Sequence, residues 1–404
     1  MPANGTTTAG NLNDADDRRS AMTRLSILAT AAVLAMAGSA TAQDAPKDPP
    51  VIKIGAIFAM SGQASWYGQV MSQGMRLAVD EINAKGGVDG IKLEAVIEDH
   101  KGAGGAEGVA AINRLMSLHG TKIVMTSFTG PTLGIAPIAD QNNIFLINGG
   151  GVGVKMVGAS KYIVHNRSLS SDLALGALQV AQEMGLKKMG QLHWKNDVGD
   201  YIVSSAEPVW KKGGGTIVAT EAVPQGATNM DTQVAKVRAA NPDVVGMWMF
   251  TPEVGLAVKR VREFGMKQPV IGVEFTANDA KVAGATAEGF LYINDYFKPS
   301  DDQPWSKQFA AAYEKRWGQA PEFYGANYYE GVYMAAELAK RSRKKGGDYL
   351  NGERLKAALY ENPKIDSVYG GQMTFQENGV AQKRVGLFKV EGGTGVFQKF
   401  VDLK

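Results

Sequence analysis

"VIKIGAIFAMSGQASWYGQVMSQGMRLAVDEINAKGG", residues 51–87, opens on an apolar run, passes through a small polar loop and continues with a helical period. Residues 51–58 are too short and too apolar for a surface helix and suit a strand buried on both faces. Met71, Met75, Ala78 and Ile82 then recur at steps of four and three, which predicts a helix over 68–85, stopped by Gly86 and Gly87. The stretch therefore reads as one strand-loop-helix unit. Its loop holds two neighbouring aromatics, Trp66 and Tyr67, where a connection would ordinarily be small and polar.

The unit repeats. "IKLEAVIED" (91–99) returns as a strand, 106–118 as a helix, "KIVMTS" (122–127) as a strand, 131–142 as a helix and "IFLIN" (144–148) as a buried strand. Such alternation predicts α/β structure, a parallel sheet covered by helices on both faces. The rhythm restarts after "YIVHNRSLSSD" (162–172), with a helix over 173–184 and strands at "KMGQLHW" (188–194), "GTIVATEAV" (215–223), "DVVGMWMF" (243–250), "PVIGVE" (269–274) and "GFLYIN" (289–294). A second lobe follows from this restart. Helices with a Tyr-rich character resume from 305 to about 359, and 370–390 reads as short strands turning at Asn378 and Gly379. A chain of 404 residues accommodates two lobes comfortably.

Composition narrows the function. Net charge is +3 with no basic stripe, so no nucleic-acid partner is expected. Zero cysteines remove disulfides, thiol catalysis and thiolate metal sites. His100, His119, His165 and His193 are scattered with no ligand spacing, so each is expected at a strand end or on the surface, and neither a metal nor a cofactor is expected. No G-x-S-x-G motif is present and no serine-histidine pairing is evident, which points away from an enzyme. "KGAGGAEG" (101–108) lacks the P-loop Lys-Ser/Thr and misses G-x-G-x-x-G, so it is expected to be a flexible connection. Residues 1–42 have the form of a signal peptide: Arg18, Arg19 and Arg24 precede the apolar 25–37, and Ala40 and Ala42 fit the cleavage rule. Met22 begins a more usual signal than Met1. Export to the periplasm, cleavage after Ala42 and a monomeric mature protein are the expectations. The loss of Asp14, Asp16 and Asp17 with the three arginines would leave the charge at +3.

Open parallel sheets bind ligands at the carboxyl ends of their strands, and several residues fall there. Thr129 follows "KIVMTS" and is expected either as an ordinary N-cap or as a carboxylate anchor beside free helix amides. Gly149, Gly150 and Gly151 follow "IFLIN" and would admit a ligand close to the backbone. In the second lobe Phe250 and Glu274 end strands; Glu274 is either a solvated loop acid or the partner of a ligand ammonium. Among the tyrosines of "EFYGANYYEGVYM" (322–334), Tyr324 is best placed to reach a cleft.

These residues resemble the leucine/isoleucine/valine-binding family of periplasmic substrate-binding proteins, the type I solute-binding proteins of ABC importers. The specific match lies in residues 52–90, supported by "PDVV", "FGMKQPVIG" and "AEGFLY". The resemblance implies two doubly wound lobes joined by three crossings, with 51–165 and 294–370 in lobe 1 and 166–293 and 371–404 in lobe 2. It implies hinge closure over a small amino acid of branched-chain type, delivered to a membrane permease. It assigns Tyr67, with Trp66 beside it, to covering the ligand. Thr129 with Gly150 and Gly151 would hold its carboxylate, Phe250 and Tyr324 would wall it, and Glu274 would pair its amino group. Val198-Gly199 stands where the family often has Tyr-Gly, so one aromatic wall is expected to be missing. That departure, with three small glycines at the carboxylate loop, makes an aromatic or other amine-free carboxylate the alternative ligand, with Trp66 available for stacking. A ligand-sensing receptor domain is the alternative role.

Overall fold

The structure, a computed structural model, describes Gly5 and residues 44–102, 104–299 and 302–402. The signal segment expected over 1–42 lies outside the described residues apart from Gly5.

Two α/β lobes form around separate sheets. The first lobe orders its strands β2-β1-β3-β4-β5, with β1 Ile52–Phe58, β2 Leu93–Asp99, β3 Ile123–Thr126, β4 Phe145–Asn148 and β5 Ile163–His165, all parallel. Helices α1 Ser65–Ala84, α2 Gly105–His119 and α3 Thr129–Gln141 connect them. β1 is central and buried but for Lys53, as a parallel strand with both faces covered must be. Its alternate side chains feed two cores: Ile54, Ala56 and Phe58 face α1, and Ile57 faces α2 and α3.

The second lobe repeats the order. β6 Lys188–Trp194, β7 Thr216–Val223, β8 Val244–Trp248, β9 Val270–Val273 and β10 Leu291–Asp295 lie as β7-β6-β8-β9-β10, extended at the far edge by antiparallel β14 Val385–Glu391 and β15 Thr394–Val401. Its helices are α4 Ser170–Glu183, α5 Asp197–Lys212, α6 Asp231–Ala239, α7 Glu253–Glu263 and α8 Ala277–Ala283. In each lobe the strand order reverses beside the first strand, between β1 and β3 and between β6 and β8. Crevices form at such switch points, and here the two face each other.

The chain returns to the first lobe through α9 Pro304–Trp317, α10 Phe323–Arg343 and α11 Gly352–Glu361. α10 packs on α1 where Gly74 meets Gly325: a β-carbon on Gly74 would stand 2.0 Å from the Gly325 carbonyl oxygen. The passages between lobes differ from the expected boundaries. Tyr296 packs on Phe397 and Phe400 of the second lobe while Phe297 packs on Phe309 and Tyr369 of the first, so the second passage falls there rather than before Asn294. Likewise β11 Lys364–Asp366, β12 Gln372–Phe375 and β13 Ala381–Gln382 form a small sheet whose Met373, Phe375 and Ala381 enter the first lobe's core. The third passage therefore lies between Gln382 and Val385, not at 370.

Candidate ligand cleft

Between the switch points lies a cavity of about 760 Å³, within the range of small-molecule sites. The first lobe lines it from the ends of β1 to β4, and the second from the ends of β6, β7 and β8. Of the expected site residues, Tyr67, Thr129, Gly150, Gly151, Phe250 and Tyr324 line it; Trp66 and Glu274 do not.

Trp66 and Tyr67 sit in the first turn of α1, three residues earlier than the helix predicted from the period, not in a loop. Gly68 allows that turn to press on the end of β1, since a β-carbon there would stand 2.1 Å from the Ala59 carbonyl oxygen. Tyr67 then meets Phe128 and Tyr324 edge-on at 5.3 and 5.1 Å, and its hydroxyl donates across the cleft to the Thr251 carbonyl at 3.0 Å. Trp66 stands behind, edge-on to Tyr67 at 5.2 Å and to Tyr324 at 6.3 Å. It supports the aromatic wall and does not stack in the cavity.

Thr129 is the first residue of α3, not its cap; Phe128 takes that position. The Thr129 hydroxyl accepts from the Gly153 amide at 3.1 Å and keeps its own proton to donate. The first amides of a helix have no partner within it, so Thr129 and Gly130 present amides and a hydroxyl at the cleft wall. Gly150 and Gly151 act differently from the expectation. Both amides point to Asn148 Oδ1, at 3.3 and 2.7 Å. Their lack of a side chain is required by packing, because β-carbons there would meet the Tyr328 hydroxyl at 2.7 Å and the Ser127 carbonyl at 2.6 Å. The glycine loop supplies shape rather than donors.

Glu274 follows β9 with φ +55° and is 2% exposed. Its Oε1 pairs with Arg167 Nη2, and its Oε2 accepts from the Tyr324 hydroxyl at 2.6 Å. Arg167 is wholly buried; its Nη1 donates to the Gly150 carbonyl at 2.7 Å and its Nε to Ser168 at 3.0 Å. Burial works against the guanidinium charge, but the Glu274 carboxylate, with Tyr324 and Asp295, more than offsets it and raises the Arg167 pKa above its ordinary value. Burial, reinforced by Glu274, holds the Tyr324 hydroxyl well above the usual tyrosine range. Glu274 is thus neither a solvated loop acid nor a free partner for an ammonium; the chain supplies the cation itself.

The second lobe contributes more than was expected. Trp194 lines the cavity from the end of β6 and lies 5.1 Å from Phe250. It replaces the wall expected to be lost at Val198-Gly199. Gly199 is needed for the same close approach as Gly68: a β-carbon there would stand 2.0 Å from the Trp194 carbonyl oxygen. Asn196 caps α5 by accepting from the Val198 and Gly199 amides, and donates to Gln225 at 3.3 Å. Phe128, Lys101 and Glu253 also line the cavity. Trp194 was within reach of the strand-end rule that selected Phe250; Arg167 carried no local signal. Among the described residues no group of three or more His, Asp and Glu could hold a metal ion, and no helix is long and apolar enough to cross a membrane.

A family described as periplasmic binding protein matches residues 51–394, and the chain belongs to that family of non-enzymatic solute-binding proteins. It is 28% identical over 245 residues to the Leu/Ile/Val/Thr-binding protein of Salmonella typhimurium, covering 59% of this chain and 67% of that protein. It is 25% identical over 376 residues to the Leu/Ile/Val-binding protein homolog 3 of Brucella melitensis, covering 91% and 98%. A branched-chain amino acid transporter substrate-binding protein from Streptococcus pneumoniae, in complex with isoleucine, superposes with a TM-score of 0.78 at 24% identity, over 87% of this chain and 99% of that one. A solute-binding protein of an ABC transporter from Rhodopseudomonas palustris, in complex with p-hydroxybenzoic acid, superposes with a TM-score of 0.79 at 20% identity, over 87% and 96%. These likenesses agree with the two-lobed α/β fold read from the sequence.

Proposed function

We propose that the chain is the solute-capturing component of an ABC importer, which closes its lobes over a small amine-free aromatic carboxylate and presents it to a membrane permease in the periplasm. The observation that carries the ligand class is the internal pairing of Glu274. An amino acid would bring an ammonium to a carboxylate whose two oxygens are already held by Arg167 and Tyr324. Displacing a buried guanidinium would leave it unpaired at a cost of several kcal/mol. An amine-free acid needs only an anion anchor and apolar walls. Thr129, the first amides of α3 and Lys101 provide the first, and Tyr67, Phe128, Trp194, Phe250 and Tyr324 the second.

Closure is expected to be a hinge motion about the three passages, with Tyr67 to Thr251 as a latch across the cleft. The protein is expected to work as a monomer without a cofactor.

The curated relatives support a second reading, a branched-chain amino acid. Calorimetric titration with benzoate, benzamide and leucine separates the two. The proposal expects benzoate to bind, benzamide to bind at least about tenfold more weakly for loss of a charge-assisted bond, and leucine not to bind. Leucine binding with no benzoate binding would establish the second reading instead.

A further inference from the structure

Glu322 stands at the cap of α10, yet its side chain bonds none of that helix's amides. Its Oε1 reaches the other lobe instead and accepts from the Ala277 amide, the first of α8, at 2.6 Å. Its Oε2 is closed off from solvent and has no hydrogen-bond partner. The bond joins the lobes alongside Tyr67 to Thr251 and Tyr324 to Glu274. Parting the lobes would break it and return the carboxyl to water.

The surroundings decide which form of the carboxyl suits the joined state. α8 brings Asp279 and Lys281 to it, the turn after β9 brings Glu274, β10 brings Tyr292 and α9 brings Tyr313. A carboxylate there would give up the hydration of Oε2 for no bond in return, whereas a carboxylic acid gives up far less. Burial, with the Asp279 and Glu274 charges, pushes Glu322 up to about 7, against the pull of the Ala277 amide and Lys281. Asp279, itself raised by burial to about 6, keeps all its hydrogen bonds within the second lobe, to Thr251, Thr276 and Gly255, so parting the lobes leaves them intact.

We propose that Glu322 is a positioning residue for lobe closure, which joins the lobes as a carboxylic acid, so that closing takes up a proton. The proposal rests on the hinge motion and not on the ligand class. Its sign follows from linkage: an acid whose pKa is higher in the closed form favours that form when protonated. The closed form therefore gains below about pH 7 and loses the gain as pH rises through that value. A carboxyl moving from its ordinary 4.5 to about 7 on closing raises the closed-to-open ratio about tenfold between about pH 8 and about pH 6.

Single-molecule energy transfer between dyes on Ser117→Cys and Ser204→Cys, exposed positions on α2 and α5, reads the lobe separation in a chain with no other cysteine. Without ligand, the closed-to-open ratio is expected to grow about tenfold from about pH 8 to about pH 6. Adding Glu322→Gln, which keeps an acceptor for the Ala277 amide and cannot titrate, is expected to flatten that profile. Benzoate and leucine, each added at about pH 8, test the hinge separately. A separation that responds to either ligand but not to pH, or a pH response that persists in Glu322→Gln, overturns the role of Glu322 and leaves hinge closure standing. A separation that responds to neither pH nor ligand overturns both. The wild-type profile can fail by itself, so the outcome does not depend on the variant folding.

Discussion

The guanidinium of Arg167 and the carboxylate of Glu274 are 107 positions apart in sequence, and neither residue's neighbours indicate the other. Glu274 is legible as a strand-end acid, but its role is decided by a cation that arrives from the passage between lobes. Removing one member of a buried pair strands the other, at about 3–5 kcal/mol, whereas replacing both with apolar groups of similar size is often neutral. Arg167→Met is therefore predicted to lower the unfolding free energy by about that amount in urea titration, and Arg167→Met with Glu274→Met to recover most of it. A double variant as unstable as the sum of the single ones would show that the pair is not a unit. Two histidines are also fixed by the fold. His165 Nδ1 lies 3.0 Å from Asn148 Nδ2 and accepts from it, which orients Asn148 toward the Gly151 amide; His100 Nδ1 accepts from the Gly102 amide at 3.2 Å. Burial lowers both imidazoles from 6.5 to about 4. Above pH 6.5 they are neutral in both states; as pH falls toward 4 the unfolded chain binds protons that the native chain refuses, so stability drops. Asp279, raised by burial to about 6, and Glu322, raised by burial to about 7, act with the opposite sign, because the native state protonates first. Wild-type stability is thus flattened on acidification, and the histidine share must be isolated by substitution. His165→Asn keeps an acceptor near Nδ1 and cannot titrate, so it is predicted to lose about 2 kcal/mol less than wild type between pH 7 and pH 5 in denaturant titrations. An unchanged pH slope would mean that His165 is not held neutral.

Elements built on a single period were readable because periodicity is a local property. The strands over 52–58 and 188–194 and the helix carrying Met71, Met75, Ala78 and Ile82 stand where the pattern put them. Helix starts were less legible. α1 begins at Ser65 rather than Gly68 because the pressure of its first turn on Ala59 is a tertiary contact. For the same reason 371–382, expected in lobe 2, belong to the first lobe instead: short alternating strands suit either sheet, and only the burial of Met373 and Phe375 in the first lobe's core decides. α1 and α10 meet through Gly74 and Gly325, and they carry the two aromatics, Tyr67 and Tyr324, that touch at the cleft. Gly74→Val would insert a branched side chain where even a β-carbon has 2.0 Å. Overpacking of this kind costs about 1–3 kcal/mol or more. The predicted outcome is a lower melting temperature together with weaker benzoate binding, since both walls shift; wild-type affinity would uncouple the helix crossing from the cleft.

For the whole molecule, the passages are polar joints rather than loose linkers. The first and second are tied where the Ser168 amide donates to Asp295 at 3.2 Å, and the third is held to α10 by the buried pair of Lys383 and Glu330, with the Lys383 ammonium 3.8 Å from the centre of the Tyr369 ring. Such joints can guide a hinge while the lobes keep their own cores. The cleft they frame is proposed to take the acid end of its ligand at Thr129 and the first amides of α3 and to wall the ring with aromatics of both lobes, while the Glu274 carboxylate is already paired with Arg167 within the protein. Native mass spectrometry of the refolded protein, equilibrated with one equimolar mixture of leucine, isoleucine, valine, benzoate and the hydroxybenzoates, tests that arrangement most directly. A single adduct with the mass of an aromatic acid is predicted. An adduct with the mass of a branched-chain amino acid would contradict it, and would require Glu274 to release Arg167 when the lobes close.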